Sequence, residues 1–215
     1  MKSSSKSPAA SSFHLSYSEK PLLFVDTETT GLQPGYHEII EIACILTDNT
    51  GKEIYEEWVE KIHPQYPERL DPAAQAVNGY NEKDWSDTLP VNRVMSKVSV
   101  MAKGARLVGH NIAFDWEFIQ ATMSACGVPW LGDYHKIDTV TIAHILAQCG
   151  CVSGIRLGTV VNDMGMTQEN AHTALSDARD CRKVYIEFME RCSPAIRKAF
   201  LEPQKETLFQ KEMEP

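Results

Sequence analysis

Three short stretches of the chain place acidic side chains where they could act together. In Phe24-Val25-Asp26-Thr27-Glu28-Thr29-Thr30-Gly31, two acids fall at i and i+2 at the end of an apolar run. Strand side chains alternate between faces, so Asp26 and Glu28 point the same way. Carboxylates so placed repel one another unless a cation sits between them; the alternative is a polar strand end entering a turn. In Gly109-His110-Asn111-Ile112-Ala113-Phe114-Asp115, an acid lies in or just past the first turn of a helix that follows a short strand. Asp115 would overhang the crevice beyond the strand ends, where open α/β sheets bind ligands, or would only answer the helix dipole. In His172-Thr173-Ala174-Leu175-Ser176-Asp177, five residues of regular helix rotate by roughly 140°, so the histidine and the acid would not share a helical face. They converge if His172 stands on the loop before the helix and Asp177 within it; otherwise they are a turn residue and a solvated acid. Each fragment alone leaves both readings open.

The elements that must carry these residues follow from patterning. Leu22 to Val25 is wholly apolar, as in a central strand covered on both faces, and Ile39 to Thr47 is similar. Lys52 to His63 alternates Ile54, Trp58 and Ile62 with charged residues, as a more exposed strand would. Turn signals at Thr30-Gly31, Pro34-Gly35 and Asp48-Asn49-Thr50-Gly51 separate the three. Val91, Val94, Met95, Val98 and Met101 then fall at helical spacing, ending at Gly104. Leu107 to Gly109 is a short strand, and Asn111 is placed to cap a helix carrying Phe114, Phe118, Thr122 and Cys126 up to Gly127. Further helices are expected over Asp138 to Gln148, Arg156 to Met164 and Thr173 to Cys192, with Asp138 as a cap. This order predicts an α/β domain with a mixed central sheet flanked by helices.

The chain has 215 residues, 43% of them hydrophobic, which suits one globular domain. We place it at residues 20–193. Residues 1–19 hold eight serines and few bulky apolar groups, so a disordered tail is expected, and residues 194–215 form a C-terminal tail. No apolar run reaches the roughly 18 residues of a membrane span, and the N-terminus lacks a signal peptide's apolar region. A cytoplasmic protein with no membrane partner is therefore expected. The six cysteines match no zinc spacing and read as reduced thiols, and the seven histidines include no H-E-x-x-H. The net charge of -8 argues, taken alone, against a nucleic-acid partner.

Together the three fragments resemble the motifs of the DEDDh, or DnaQ-like, 3′-to-5′ exonucleases. They stand in that family's order as D-x-E, N-x-x-F-D and H-x-A-x-x-D, within a similarity running from about Pro21 to Cys192. The intervals between them are close to those of the proofreading ε subunits of bacterial replicases, and the likeness to ribonuclease T is weaker. The resemblance implies a ribonuclease H-like fold and a site built on two divalent cations, Mg²⁺ or Mn²⁺. Asp26, Glu28, Asp115 and Asp177 would hold them, Asp26 bridging the two. His172 would be the general base, so activity should fall in acid, where the imidazole is charged. Thr29 and Gly31 would meet the terminal nucleotide, with Gly31 allowing close approach or positive φ, or simply making the turn. Asn111 would be a substrate contact or the helix cap, and Val77-Asn78-Gly79 resembles a loop packing near the terminal base. Two cations would take the formal charge from -8 to -4 and draw phosphate into the cleft.

The implied reaction is hydrolysis from the 3′ end of DNA, releasing nucleoside 5′-monophosphates in proofreading or repair. Partners would be single-stranded or frayed 3′ ends. RNA trimming of the ribonuclease T kind is the enzymatic alternative, since the motifs do not report on the 2′-hydroxyl. A non-catalytic clamp or polymerase adaptor is the other, and it should have lost a metal ligand. Arg93 with Lys97, and Arg179 with Arg182 and Lys183, cluster on helical faces that read as solvated, and no broad basic stripe appears in the sequence. Gln204-Lys205-Glu206-Thr207-Leu208-Phe209 resembles the peptide with which replication proteins bind the sliding clamp, through Gln204, Leu208 and Phe209, departing at Thr207. Homo-oligomers occur among such relatives.

Overall fold

The computed structural model describes residues 15–168 and 173–201. Among these, strands β1 (Leu22–Thr29), β2 (Ile39–Thr47), β3 (Ile54–Lys61), β4 (Arg106–Gly109) and β5 (Lys136–Asp138) form one sheet in the order β3-β2-β1-β4-β5. The pairs β1/β2 and β2/β3 are antiparallel, whereas β1/β4 and β4/β5 are parallel. The helices are α1 (Pro72–Asn78), α2 (Val91–Met101), α3 (Ile112–Cys126), α4 (Thr139–Gln148), α5 (Leu157–Asp163) and α6 (Ala174–Leu201). The mixed sheet flanked by helices is the architecture expected from the sequence.

Alternation along β1 assigns each face. Leu23 and Val25 pack with Val94, Met95 and Val98 of α2 and Phe118 and Ile119 of α3. Leu22 and Phe24 pack with Ala174, Ala178, Cys181 and Tyr185 of α6. Covered on both sides, the strand has no polar position to spare until it passes Val25. Burying each such side chain contributes about 1.5–3 kcal/mol, so the two interfaces fix β1 firmly between α6 and the α2/α3 pair. The same parity continues past the core: Asp26 and Glu28 fall on the α6 side, Thr27 and Thr29 on the α3 side.

Several local expectations change. The first strand runs four residues beyond Val25 and so includes both acids. The short β5 and α1 had no distinct sequence signal. Asn111 occupies the cap position of α3 but adopts φ 65° and makes no side-chain cap bond. A capping side chain needs extended backbone to reach the first free N–H groups, and the left-handed conformation removes that geometry. Instead the Asn111 N–H donates to Asp138 Oδ1 at 2.9 Å, and the same oxygen accepts the Val140 N–H at 2.9 Å as the cap of α4. Tyr17–Glu19, within the stretch read as a tail, form a 3-10 turn, and Arg106 stacks 3.9 Å over the Tyr17 ring and donates to its carbonyl. At the other end α6 continues through Pro194 to Leu201, past the expected stop near Cys192. All six cysteines are free. Among the described residues no helix is long and apolar enough to cross a membrane.

Candidate active site

Asp26 and Glu28 emerge from β1 on the face covered by α6, and Asp177 lies in the first turn of that helix. Ligand oxygens from these three half-buried carboxylates lie within 4.8 Å of one another. Such crowding opposes ionisation. Burial, then the charges of Asp115, Asp177, Glu28 and Glu41, push the Asp26 carboxyl well above the usual range. Burial followed by Asp177, Glu41 and Asp115 raises Glu28 to about 7. Three hard oxygen donors whose negative charges are mutually unfavourable suit a divalent cation such as Mg²⁺ or Mn²⁺.

Asp115 approaches from the other side of the sheet. It is 4% exposed, and its Oδ1 accepts both the N–H of Thr27 at 2.9 Å and the Thr27 hydroxyl at 2.7 Å. Burial raises its pKa to about 7 against the lowering effect of those bonds. It repels Asp26 and Glu28 but stands outside the trio that shares the 4.8 Å limit. The structure thus groups three of the four expected acids closely and sets the fourth beside them.

Two contributors escaped the sequence reading. Thr27 is the middle residue of D-x-E; the available signal was the alternation, which turns it toward α3. Glu41 is the lone charge within the apolar β2 run, 8% exposed, opposite Glu28 on β1 and Lys61 on β3. Burial raises its pKa, while Lys61 and a hydrogen bond from the Ala174 N–H oppose the rise. Glu41 therefore receives the first residue of the helix that carries Asp177.

A hollow of about 310 Å³ opens beside Glu28, lined by Thr29, Leu32, Val77, Asn78 and Phe114 among others. Leu32 is 78% exposed and Val77 56%. The Thr29 hydroxyl donates to the Gly31 carbonyl at 2.7 Å, and Asn78 Nδ2 donates to the Thr29 carbonyl at 2.9 Å, tying α1 to the end of β1. Gly31 is not among the residues with positive φ; its missing side chain admits the His37 ring, which a Cβ would overlap. Asn111 is not among the residues lining this hollow. His172, Gln204, Leu208 and Phe209 lie outside the described residues. The basic clusters lie on partly exposed faces, where Lys97 pairs with Glu56, Arg179 with Glu57, and Lys183 with Asp180 at 2.8 Å, while Arg182 donates to the carbonyls of Gly51 and Lys52.

A model of the exonuclease family (RNase_T) matches residues 23–185. The ε subunit of DNA polymerase III from Treponema pallidum is 32% identical over an alignment of 166 residues that covers 74% of this chain and 72% of that protein. The PolC-type DNA polymerase III of Thermotoga petrophila is 27% identical over 180 residues, 83% of this chain but only 12% of the polymerase. In fold, E. coli exonuclease I in complex with a dT13 oligonucleotide aligns with a TM-score of 0.72 at 18% identity, over 89% of this chain and 46% of that one. The chain thus spans only a small share of the polymerase's length and less than half that of exonuclease I. Its match to the family model runs from β1 almost through the α6 turns that pack on it, which takes in all the acids described above, and on that match the chain belongs to the exonuclease family.

Proposed function

We propose that the protein is a metal-dependent 3′-to-5′ exonuclease that removes nucleoside 5′-monophosphates from the 3′ end of DNA during proofreading or repair. The observation that carries this reading is the carboxylate trio within 4.8 Å, which is electrostatically costly unless it holds cations. Bound there, two divalent cations would supply an activated water near neutral pH and stabilise charge on the attacking and leaving oxygens. Asp26, Glu28 and Asp177 hold them, and Asp115, its orientation fixed by Thr27, completes the set from the α3 side. His172, two positions before Ala174 in the sequence, takes the proton from the attacking water. The hollow under Leu32, Val77 and Phe114 receives the terminal nucleotide, its apolar walls meeting the base and Glu28 marking the reacting end.

DNA as substrate is supported by the names of the relatives, an ε subunit and PolC-type polymerases, and by the oligonucleotide held by exonuclease I. All four acids are present, which weighs against a non-catalytic adaptor. The test is degradation of end-labelled single-stranded DNA, mismatched duplex and RNA in Mg²⁺, Mn²⁺ and EDTA, with Asp26→Ala as control. Stepwise shortening of DNA from the 3′ end, absent in EDTA and in the variant, is expected. Faster loss of RNA than of DNA would replace the substrate by RNA ends. No shortening of any strand by the wild-type chain would remove the enzymatic reading.

A further inference from the structure

A second hollow, of about 260 Å³, opens farther along α3; three segments that line the first also line it, together with Ile62 and His63 after β3 and Val91 of α2. The β1–β2 loop gives Leu32 to the first and Gly35 to Glu38 to the second. The segment before and through α1 gives Asp71 and Val77 to the first, and Gln65, Tyr66 and Arg69 to the second. Helix α3 floors both, with Phe114 in the first and Ala121, Thr122 and Ala125 in the second. From position 114 to 121 the helix rises about 10 Å, the length of about three nucleotides at a stacked repeat of about 3.4 Å.

Over this second hollow stand two exposed tyrosines with a cation between them. The Arg69 guanidinium lies 3.8 Å from the Tyr66 ring centroid and 4.9 Å from that of Tyr36, and donates to the Tyr36 carbonyl at 3.3 Å. Tyr36 is 48% exposed and Tyr66 43%. The arrangement is held before any ligand arrives: the Glu38 carboxylate accepts the N–H groups of Gln65 at 3.0 Å and Tyr66 at 2.8 Å. The Asp71 N–H donates to the Thr30 carbonyl at 2.8 Å, so the platform is tied to the end of the strand that bears the acids. Aromatic faces beside a cation, partly open to solvent, are what single-strand binders use to stack bases and hold phosphates without reading sequence.

We propose that Tyr36, Arg69 and Tyr66 form a second nucleotide subsite, which stacks the bases two to three nucleotides 5′ of the end held at the acids. The occupant is the single strand itself, led to the platform because Arg69 and Ala121 of the second hollow stand close along the chain and along α3 to Asp71 and Phe114 of the first, and met there by the charge of Arg69. This assignment rests on the exonuclease reading and extends it, because it makes preference for chain length a property of named side chains. Very short oligonucleotides reach only the first hollow; longer ones gain the stack.

The test compares hydrolysis of dT2 and dT12 by the full chain in Mn²⁺, with released nucleotide measured by chromatography. Tyr66→Ala and Arg69→Ala should each lower the ratio of kcat/KM for dT12 to that for dT2 about tenfold, through KM for dT12. Tyr66→Trp, which keeps an aromatic face, should restore the ratio. An unchanged ratio in both alanine variants overturns the subsite, and a parallel loss on both substrates with a lowered Tm makes the stack a structural tie between loops, which also overturns it. If the wild-type chain hydrolyses neither oligonucleotide, the exonuclease reading fails separately. Anisotropy of labelled dT12 then decides the subsite: tenfold weaker binding by Tyr66→Ala upholds it, equal binding rejects it.

Discussion

Between two acids that face α6, Thr27 faces α3, and its N–H and hydroxyl both donate to Asp115 Oδ1. Hydrogen bonds to a carboxylate favour its charged form, so these two oppose the burial that raises Asp115 to about 7. Thr27→Val keeps the shape and the N–H but deletes the hydroxyl donor. It should cost about 10- to 100-fold in cation affinity, as loss of a partner that orients a metal ligand commonly does. A Mn²⁺ titration of activity checks this, and an unmoved half-saturation point would release Thr27 from the role. The raised carboxyls also set a pH dependence for the metal-free protein. Glu28 and Asp115 near 7, with Asp26 above the usual range, bind protons in the folded state that the unfolded chain has already lost above about pH 4. Their contribution is fully present below that pH and is lost as pH rises through about 7. In EDTA the Tm should therefore fall from pH 5 to pH 8, and the Tm gained on adding Mn²⁺ should be larger at pH 8. A gain equal at both values would mean that the acids do not trade protons for cations. At this scale the shared direction of Asp26 and Glu28 was legible from alternation, and their grouping with Asp177 from the resemblance of the three motifs. The tie from Thr27 was not, because its partner lies 88 residues away, on the helix that covers the strand face opposite to the one bearing Asp26 and Glu28.

At the scale of elements, the site is an agreement between β1, fixed by its two packed faces, and α6, which must deliver Asp177 to it. Glu41 of β2 sets that agreement, since it accepts the Ala174 N–H and faces Lys61 across the sheet. Glu41→Ala would strand the buried N–H of Ala174, a loss of about 1–3 kcal/mol. At about 2–4 °C per kcal/mol for a chain of this size, Tm should fall by several degrees. Glu41→Gln keeps an acceptor and should recover most of the Tm. Activity should follow Tm in this pair because Asp177 rides on the helix that Glu41 receives. Normal activity at 25 °C in the alanine variant would show that α6 holds its place without it. Patterning revealed β1, β2, α2, α3 and the core stripe of α6, all long enough for a period to repeat. It could not reveal β5, three residues whose strand character comes from pairing with β4, nor α1, whose seven residues bury none of their side chains. The conformation of Asn111 was equally hidden: its residue type favours a cap, but the bond from its N–H to Asp138 belongs to the tertiary fold.

For the whole molecule, a net charge of -8 must be reconciled with a phosphate-bearing substrate. The basic residues on α2 and α6 do not resolve it, since Lys97, Arg179 and Lys183 pair with acids and Arg182 binds backbone carbonyls. Attraction must then arise at the cleft itself, where four acids holding two divalent cations would change the formal charge by +4, from -8 to -4. The expected consequence is that affinity for a single strand depends on the cation far more than on ionic strength. His172→Ala, expected to bind cations but turn over slowly, allows the measurement with labelled dT12. Its Kd should be at least about tenfold tighter in Mg²⁺ than in EDTA. The slope of log K against log salt should be shallow, about -0.7 for each phosphate neutralised and hence about -2 for three contacts. Equal affinity in EDTA, or a slope several times steeper, would require a broad basic surface. Lys97, Arg179, Arg182 and Lys183 are in contact with acids and carbonyls instead, so that result would relocate the strand away from the carboxylate trio.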